Sequence, residues 1–241
     1  MATLVFEVSS TLAMFRKGYT TTSAVSYPFI PPTAVAGVIA AIVGIDNGAN
    51  VEPDRADYWN HFSGTQIAIR IQSRLRWYST AVNLIMFKTK NGDMGEHIQP
   101  KHQFVHYPSY RIYVRGGGLY KDLKARLSCN EFIFTPYLGV AYAVAEVVYI
   151  GEFEEEEISQ LPVAIQSVVP AVDGVIIDIS KSLAIFKERV PVAQDVKRNF
   201  IRSLPVLYSG QQSLGALYVK EKGVLSLTKV GRDAVAWFNA W

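Results

Sequence analysis

The chain has 241 residues, of which 49% are hydrophobic and 19% charged, with a net charge of +3 and a pI near 8.8. This composition excludes a disordered chain, and the single cysteine, Cys129, excludes an internal disulfide framework and a cysteine-based metal cluster. The apolar stretch at 34–45 is shorter than the roughly 20 residues of a membrane span, and residues 1–14 lack the pattern of a secretory signal. We therefore expect a soluble, cytoplasmic protein.

Strand and helix patterns alternate through the first two thirds of the chain. The predicted elements, in chain order, are a strand at 2–9, a helix at 34–45, a short helix at 55–62, strands within 65–87 and 103–114, a helix at 119–127 and a strand at 142–153. A hairpin is predicted within 65–87. The order β-α-β-β-α-β is that of a ferredoxin-like fold. We predict an α+β protein in which residues 1–153 form a ferredoxin-like, RRM-like domain.

The rest of the sequence predicts a second region. An acidic run from Glu154 to Glu157 is interpreted as the boundary between the two regions, although most such runs are solvated faces. Short strand patterns recur between 174 and 227. Residues 158–241 are therefore predicted to form a small, mainly β C-terminal lobe.

Residues 26–44 carry the most distinctive pattern of the chain. Three prolines favour an extended backbone that leads directly into an uncharged helix. Thr33 is predicted to be the helix N-cap and Gly44 its C-terminal stop. One side of the helix carries large apolar residues and another carries small ones, such as Gly37, so we expect the helix to be covered on two sides. Its N-terminus is predicted to bind an anion.

The region between Gly64 and Arg126 concentrates positive charge. It contains eleven basic and three acidic residues, a local excess of eight positive charges. Aromatic residues are threaded through the same region: Trp77, Tyr78, Phe87, Phe104, Tyr107, Tyr110, Tyr113 and Tyr120. Basic side chains that contact phosphates, beside rings that stack on bases, are typical of a surface for single-stranded nucleic acid. The alternative is an ordinary strand with solvent-facing arginines and lysines.

Three of the four histidines, His97, His102 and His106, lie in one stretch with Lys101 and Tyr107. In one interpretation they contact the backbone or the bases of a bound nucleic acid. In the other they act as general acid or base in RNA cleavage, because histidine titrates near neutrality and lysine stabilises a phosphorane. No carboxylate or cysteine stands at a repeated ligand spacing, so no metal site is predicted.

The run Gly116-Gly117-Gly118 also has two interpretations. Backbone N–H groups there would cradle a phosphate, or the glycines would form a tight turn into the following helix. The run lacks the Gly-Lys-Ser/Thr ending of a nucleotide P-loop, so neither a bound nucleotide nor any other cofactor is predicted.

Two motifs carry a family resemblance. Phe15-Arg16, Thr20-Thr21 and the segment from Ser26 to Ala34, continuing through the helix to Gly44, resemble the N-terminus of CRISPR-associated protein family five. These are RAMP-superfamily subunits of type I Cascade ribonucleoprotein complexes. Thr135-Pro136-Tyr137-Leu138-Gly139 is similar to a second, shorter segment of that family. Together the motifs span about residues 1–153.

The resemblance implies a non-catalytic RNA-binding subunit for antiviral defence, which binds and caps the 5′ handle of the CRISPR RNA. It implies contacts with the backbone and large subunits of Cascade, allows target DNA as a further partner, and implies no membrane contact. A protruding β-hairpin, the thumb, is expected at about 84–107. The expected RNA contacts are Arg16, Lys17, Tyr19, Thr20, Ser26, Tyr27, Arg74, Lys88, Lys90, Lys101, His102, Arg111 and Arg115.

The resemblance also leaves an enzymatic alternative. Some members of the family cleave repeat RNA with a tyrosine, a lysine and a histidine. Tyr107, Lys101 and either His102 or His106 supply the same residue types within one short stretch. A metal-independent endoribonuclease that processes CRISPR repeat RNA is therefore the alternative to a purely structural subunit.

Overall fold

The computed structural model describes residues 1–48, 56–85, 97–210, 215–239 and 241. The elements of its first two thirds are β1 Ala2–Ser9, β2 Leu12–Ala13, α1 Pro32–Val43, a 3-10 helix at Asp57–Phe62, β3 Gln66–Ile71, β4 Trp77–Ala81, β5 Leu84–Ile85, β6 His97–Ile98, β7 Lys101–His106, β8 Ser109–Arg115, α2 Tyr120–Cys129 and β9 Glu146–Glu157. Among the helices within these ranges, none has the length and apolar character that a membrane crossing requires.

The last third is built of strands. They are β10 Val163–Ile165, β11 Val169–Pro170, β12 Val175–Ile177, β13 Ile185–Gln194, β14 Phe200–Ser209, β15 Leu217–Lys222, β16 Leu227–Val230 and β17 Asp233–Ala236. Strands β10 to β15 form two three-stranded sheets, in the orders β10-β15-β12 and β11-β14-β13. With two helices in the first part and strands throughout, the chain is an α+β protein, as predicted.

A six-stranded antiparallel sheet, in the order β17-β16-β9-β1-β8-β3, organises the molecule. Its β16 pairs with β9 through residues 228–230 and 155–157. The acidic run thus lies inside a strand, since an edge of β9 was available for pairing. Residues 227–236 extend the sheet of the first part instead of standing apart from it.

The predicted hairpin within 65–87 is wrong. β3 pairs with β8, whereas β4 pairs with β7 and β5 with β6. The chain leaves the large sheet after Ile71, makes the arms 77–85 and 97–106 of a separate hairpin, and re-enters the sheet at Ser109. The strand predicted at 103–114 is consequently two strands. They divide at Tyr107, which has a φ of 48°.

The main core lies between one face of the sheet and α1. Leu4, Phe6 and Val8 alternate inward from β1, and all three are fully buried. Val190 and Val192 of β13 belong to the same core, so the C-terminal strands cover a second side of α1. Each large side chain buried in this way contributes about 1.5–3 kcal/mol.

Helix α1 begins earlier than predicted, and Thr33 is not its N-cap. Pro31 occupies the N-cap in an extended conformation (φ −74°, ψ 158°), without a side-chain cap. Proline at the first helical position fixes φ without losing a hydrogen bond, because the first N–H groups have no intrahelical partner. The predicted stop is confirmed: Gly44 has φ 87° and donates its N–H to the Ala40 carbonyl.

The small-residue side of α1 divides into a covered and an open part. Near its C-terminus the backbone N–H of Phe134 donates to the Ala41 carbonyl at 3.0 Å, so a second backbone does approach closely there. At Gly37 an added Cβ would meet nothing within 4 Å. The predicted cover is therefore present at one end of the stripe, and an open groove lies beside the other.

The second face of the sheet carries its own buried cluster. Val5, Ala68 and Tyr113 from β1, β3 and β8 pack against Val235 and Trp237. Val235 and Trp237, on and just after the edge strand β17, thus shield these side chains on the sheet face that does not contact α1.

A candidate nucleic-acid interface

The loop at 15–27 folds back on itself beside the main core. Arg16 and Ser26 form a β-bridge, and the Arg16 guanidinium donates to the carbonyl of Thr20 at 2.7 Å and to that of Thr21. The Thr20 hydroxyl donates to the Lys17 carbonyl at 2.7 Å. Arg16 remains exposed, so the loop presents its charge while using part of its hydrogen-bonding capacity.

Lys17 is held more tightly than Arg16. Its ammonium forms an ion pair with Glu188 at 2.6 Å and lies 6.0 Å and 5.4 Å from the ring centroids of Tyr19 and Tyr27. Burial lowers the pKa of Lys17, but the hydrogen bond and charge of Glu188 outweigh it and raise the pKa overall. The ring of Tyr19, 76% exposed, is left as the open aromatic group of this loop.

Ser26 and Tyr27 are buried, at 1% and 8% exposure. The Ser26 hydroxyl accepts from the Phe15 N–H at 2.9 Å and donates to the Tyr27 carbonyl at 2.8 Å. Burial raises the pKa of Tyr27, so its hydroxyl stays protonated at neutral pH. These two predicted contacts hold the loop in shape from inside.

The anion site predicted at the start of α1 has poor donors. Pro31 and Pro32 carry no N–H, and the N–H groups of Ala34 and Val35 both donate to the Pro31 carbonyl, at 2.9 Å and 3.1 Å. All of residues 31–33 are buried. The same prolines that initiate the helix therefore remove the groups that would bind an anion.

Arg111 lies on the second face of the sheet and is paired. Its guanidinium reaches Glu7 at 2.6 Å and Asp233 at 3.0 Å, and Arg70 binds the other oxygen of Asp233. Burial lowers the pKa of Arg111, but its hydrogen bonds to Glu7 and Asp233 raise it overall. We call these four residues, with Tyr113 whose hydroxyl donates to Asp233, the sheet-face network.

Arg115 is enclosed near the same network. It is 7% exposed, forms an ion pair with Glu155 and lies 4.0 Å from the ring centroid of Trp237. Further hydrogen bonds run to Gln66 at 2.7 Å and Ser226 at 2.9 Å. Both predicted contacts on β8 are thus bound to protein groups: β1 supplies Glu7, β9 supplies Glu155, and the C-terminal residues supply Asp233 and Trp237.

The cations on and just before the hairpin are exposed, unlike the two paired arginines of β8. Arg74, Arg76 and Lys101 are exposed, and within the described ranges no ion pair to an acidic residue is found for any of them. Trp77 and Tyr78 beside them are each 44% exposed. We call these five residues the hairpin surface. Lys88 and Lys90, also predicted contacts, lie outside the described residues.

The two faces of the hairpin differ. The register Trp77↔Val105 and Ala81↔Lys101 puts Trp77 and Lys101 on one face. Tyr78 lies on the other face, with ring centroids 6.5 Å from Phe104 and 5.8 Å from His106. His106 in turn lies 4.2 Å from the ring of Tyr107.

The residue types of the predicted cleavage site are not brought together. His102 is 8% exposed, and its Nδ1 has no hydrogen-bond partner within the described residues. Lys101 precedes it on the strand and therefore points to the opposite face. His106 and Tyr107 are adjacent, but about 17 Å of strand separates His106 from Lys101 at the usual rise per residue.

The glycine run is a tight turn. Gly116 and Gly117 have φ of 66° and 76°, and a Cβ on Gly117 would meet the Thr65 hydroxyl at 1.9 Å. Close packing against the segment before β3, rather than space for a phosphate, thus explains why glycine stands there.

The two motifs of the family resemblance are neighbours in space. The Met14 N–H donates to the Leu138 carbonyl at 3.2 Å, and Leu138 is fully buried. Gly139 has φ 85°, and a Cβ there would meet the Met14 carbonyl oxygen at 2.1 Å. Glycine is therefore required where the second motif packs against the strand that leads into the first.

An open cleft of about 500 Å³ lies beyond Tyr107 and was missed in the sequence. Tyr107, Tyr142 and Glu146 line it, together with Ser9 and Ser109. Tyr107 is 58% exposed and Tyr142 is 62% exposed. No local pattern could have revealed this cleft, because the residues from 142 to 146 are more than thirty positions from Tyr107.

A family model and several solved structures with similar folds are described as CRISPR proteins. Residues 3–114 match the family model described as "CRISPR-associated protein (Cas_Cas5)", whereas a search of the curated proteins found no match. A CRISPR protein from Archaeoglobus fulgidus is 16% identical, with 98% of each chain covered and a TM-score of 0.58. A chain of a CRISPR RNA-guided surveillance complex is 12% identical, with 97% of this chain and 91% of that chain covered and a TM-score of 0.48.

These findings support each other at two levels. The likeness to the Archaeoglobus fulgidus protein extends over nearly the whole chain and establishes a shared fold. The family match covers β1, α1 and the hairpin, and it contains the longer motif at residues 15–44. The resemblance to the CRISPR-associated Cas5 family is therefore confirmed over residues 3–114, a little under half of the chain.

Proposed function

We propose that this protein is a non-catalytic RNA-binding subunit of a type I CRISPR Cascade complex, where it binds and caps the 5′ handle of the CRISPR RNA. Its partners would be that RNA and the backbone and large subunits, in antiviral defence. The observation that carries the proposal is the hairpin surface, whose two faces together expose three cations and two aromatic rings, in a chain whose residues 3–114 match this family.

The strand order supports a ferredoxin-like first domain over residues 1–153. Along β9-β1-β8-β3, the fourth strand of the β-α-β-β-α-β series lies beside the first and the second lies at the outer edge. The paired arms 77–85 and 97–106 support a thumb that starts earlier than residue 84. Residues 158–241 would then be a mainly β lobe whose last two strands complete the sheet of the first domain.

The charge distribution favours the hairpin over the sheet as the route of the RNA. Phosphate contacts need cations whose charge is not already compensated by carboxylates. Arg74, Arg76 and Lys101 meet that condition, whereas Arg111 and Arg115 are committed to Glu7, Asp233 and Glu155. Arg16 and Tyr19, on the loop before α1, add one exposed cation and one exposed ring.

The test is RNA retention by the assembled complex. A triple variant, Arg74→Ala, Arg76→Ala and Lys101→Ala, is assembled with the other subunits and CRISPR RNA, and the RNA that co-purifies is quantified at rising salt. We expect RNA to be lost at lower salt than from the wild type, because about 0.7 of a unit of salt slope disappears with each phosphate contact on single-stranded RNA.

The matched control removes the same charge elsewhere. Lys121→Ala, Lys181→Ala and Lys220→Ala remove three exposed lysines outside the hairpin and are expected to leave RNA retention unchanged. Equal RNA loss in both triple variants would mean that only the net charge of the protein matters. Normal RNA retention by the hairpin variant would contradict the proposed interface.

Repeat cleavage is the second candidate, and one contact favours it. Tyr107 lines the open cleft, and its ring centroid lies 4.2 Å from that of His106, a residue type that serves as general base. Incubation of the purified protein with labelled repeat RNA in EDTA tests this. Site-specific cleavage that is abolished by His106→Ala or His102→Ala would replace the non-catalytic proposal.

A further inference from the structure

The cleft beyond Tyr107 lies at the end of an aromatic path that starts on the hairpin. Tyr78 is 5.8 Å from His106, and His106 is 4.2 Å from Tyr107, measured between ring centroids. Tyr107 lines the cleft. A single strand that stacks on Tyr78, on one face of the hairpin, would therefore meet further rings leading into the cleft. The cleft volume of about 500 Å³ lies within the range of small-molecule sites.

Two tyrosines offer stacking surfaces in this cleft. The Tyr107 backbone is held at φ 48°, and its N–H donates to the Thr11 carbonyl at 2.8 Å. Tyr142 is positioned by an edge contact with Phe104, 6.3 Å between ring centroids. Each ring is therefore supported on the protein side while more than half of its surface is exposed, an arrangement that suits stacking on an unpaired base.

Glu146 gives the cleft a chemical preference. Its carboxylate contacts the Ser9 hydroxyl at 3.5 Å, and no cation pairs with it within the described ranges. A carboxylate repels phosphate but accepts hydrogen bonds from base N–H groups. The cleft would thus receive a base of the RNA, while the cations of the hairpin contact the phosphates of the RNA backbone.

The match between donors and acceptors differs among the four bases. A carboxylate presents two oxygens that bind two parallel N–H donors at once. Guanine presents N1–H and an N2 amino group side by side, whereas adenine and cytosine present an amino group beside an acceptor, and uracil presents a single imino N–H. The carboxylate therefore complements guanine best.

We propose that this cleft binds one unpaired guanine of the bound RNA, stacked against Tyr107 and Tyr142, with Glu146 accepting from N1–H and N2–H. The proposal rests on the proposed function, since it names the base that the RNA-binding site would read. It assigns to Tyr142 and Glu146 a role that the motifs of the sequence did not indicate.

The experiment uses the full chain and four single-stranded RNAs of eight nucleotides. One is all uridine, and the others carry a single guanosine, inosine or adenosine at the fourth position; binding is measured by fluorescence anisotropy at about 50 mM salt, where phosphate contacts are strongest. We expect guanosine to improve binding about 10-fold over uridine. Inosine, which lacks the N2 amino group, should recover only part of that gain.

Variants assign the preference to the cleft. Glu146→Gln replaces one acceptor with a donor and should abolish the guanosine preference, measured as the ratio of the guanosine to the all-uridine affinity, while the loss of its negative charge strengthens binding of all four RNAs alike. Glu157→Gln, an exposed carboxylate outside the cleft, should retain it. Tyr142→Ala, and Tyr107→Asn, which tolerates the left-handed backbone, should each weaken all four RNAs about 5- to 150-fold.

The outcomes separate this inference from the proposed function. RNA binding without a guanosine preference, or with a preference that survives Glu146→Gln, overturns the guanine site and leaves the RNA-binding role intact. No binding of any RNA by the wild-type chain contradicts the RNA-binding role, and the guanine site with it. Unchanged RNA affinities in the cleft variants, with failure of the complex to assemble, would identify the cleft as a protein contact and also overturn the proposal.

Discussion

The second face of the large sheet and the hairpin surface both carry cationic and aromatic side chains. On the first the cations are paired with carboxylates, and on the second they are exposed and unpaired among the described residues. Both combine arginine or lysine with tyrosine or tryptophan. On the sheet face, Arg111 and Arg115 are paired with Asp233 and Glu155, beside a buried cluster that includes Val235 and Trp237. On the hairpin, Lys101 and Trp77 face solvent. Composition alone thus identifies where cations are concentrated, but the pairing of strands decides which of them remain available to a ligand.

The largest effect is expected on the sheet face. Asp233→Asn removes the charge that compensates Arg70 and Arg111, and should lower the free energy of unfolding by about 3 kcal/mol, because breaking a largely buried pair leaves an uncompensated charge. Urea unfolding monitored by circular dichroism measures it. Glu156→Gln breaks an exposed pair with Lys229 and should change stability by less than about 1 kcal/mol. Equal losses in the two variants would contradict the distinction between closed and open regions.

The same carboxylate predicts an acid-dependent stability. Burial raises the pKa of Asp233, but the hydrogen bond from Tyr113, the charge of Arg70 and the hydrogen bonds from Arg70 and Arg111 outweigh it and lower the pKa overall. A carboxyl group with a lowered folded-state pKa stabilises the fold above its unfolded pKa of about 3.9, and this stability is lost as the pH falls through the folded value. The stability difference between wild type and Asp233→Asn should therefore be largest at neutral pH and shrink below about pH 4. A difference that is constant from pH 7 to pH 3 would exclude this linkage.

The sequence predicted well what depends on local pattern. The apolar period of α1 and its stop at Gly44 were recognisable because a buried helix face and a left-handed C-cap each need particular residues at fixed spacing. Thr33 was misread because Pro31 and Pro32 can start the helix without a side-chain cap.

What the sequence did not reveal depends on contacts between distant segments. Alternation along β8 indicates that Arg111 and Arg115 share a face, but nothing near them in sequence identifies Asp233 or Glu155 as their partners. The cleft was missed for the same reason, since Tyr107 and Tyr142 meet only after β8, α2 and the turn before β9 have folded.

Substitutions on the hairpin surface should change RNA affinity more than they change the stability of the fold. Trp77→Ala removes a ring that is 44% exposed and should weaken binding of single-stranded RNA about 5- to 150-fold, the usual range for one stacked base. The free energy of unfolding should change by less than the roughly 3 kcal/mol expected for Asp233→Asn, because the ring is only partly buried. Trp77→Phe keeps a stacking surface and should retain most of the affinity. A large loss of stability in Trp77→Ala would mean that the ring serves packing and that the hairpin is less open than its exposure suggests.

The smallest effect concerns the salt dependence of binding, and it tests both regions at once. Lys101→Ala should reduce the slope of log affinity against log salt by about 0.7, the contribution of one phosphate contact on a single strand. Asp233→Asn, measured on protein shown to be folded, should leave that slope unchanged, because Arg111 keeps its ion pair with Glu7 and Arg70 and Arg111 both stay on the sheet face. A steeper slope in Asp233→Asn would show that Arg70 or Arg111 reaches the RNA once released. In that case the sheet face would be a masked part of the interface, and its ion pairs would compete with RNA for the same cations.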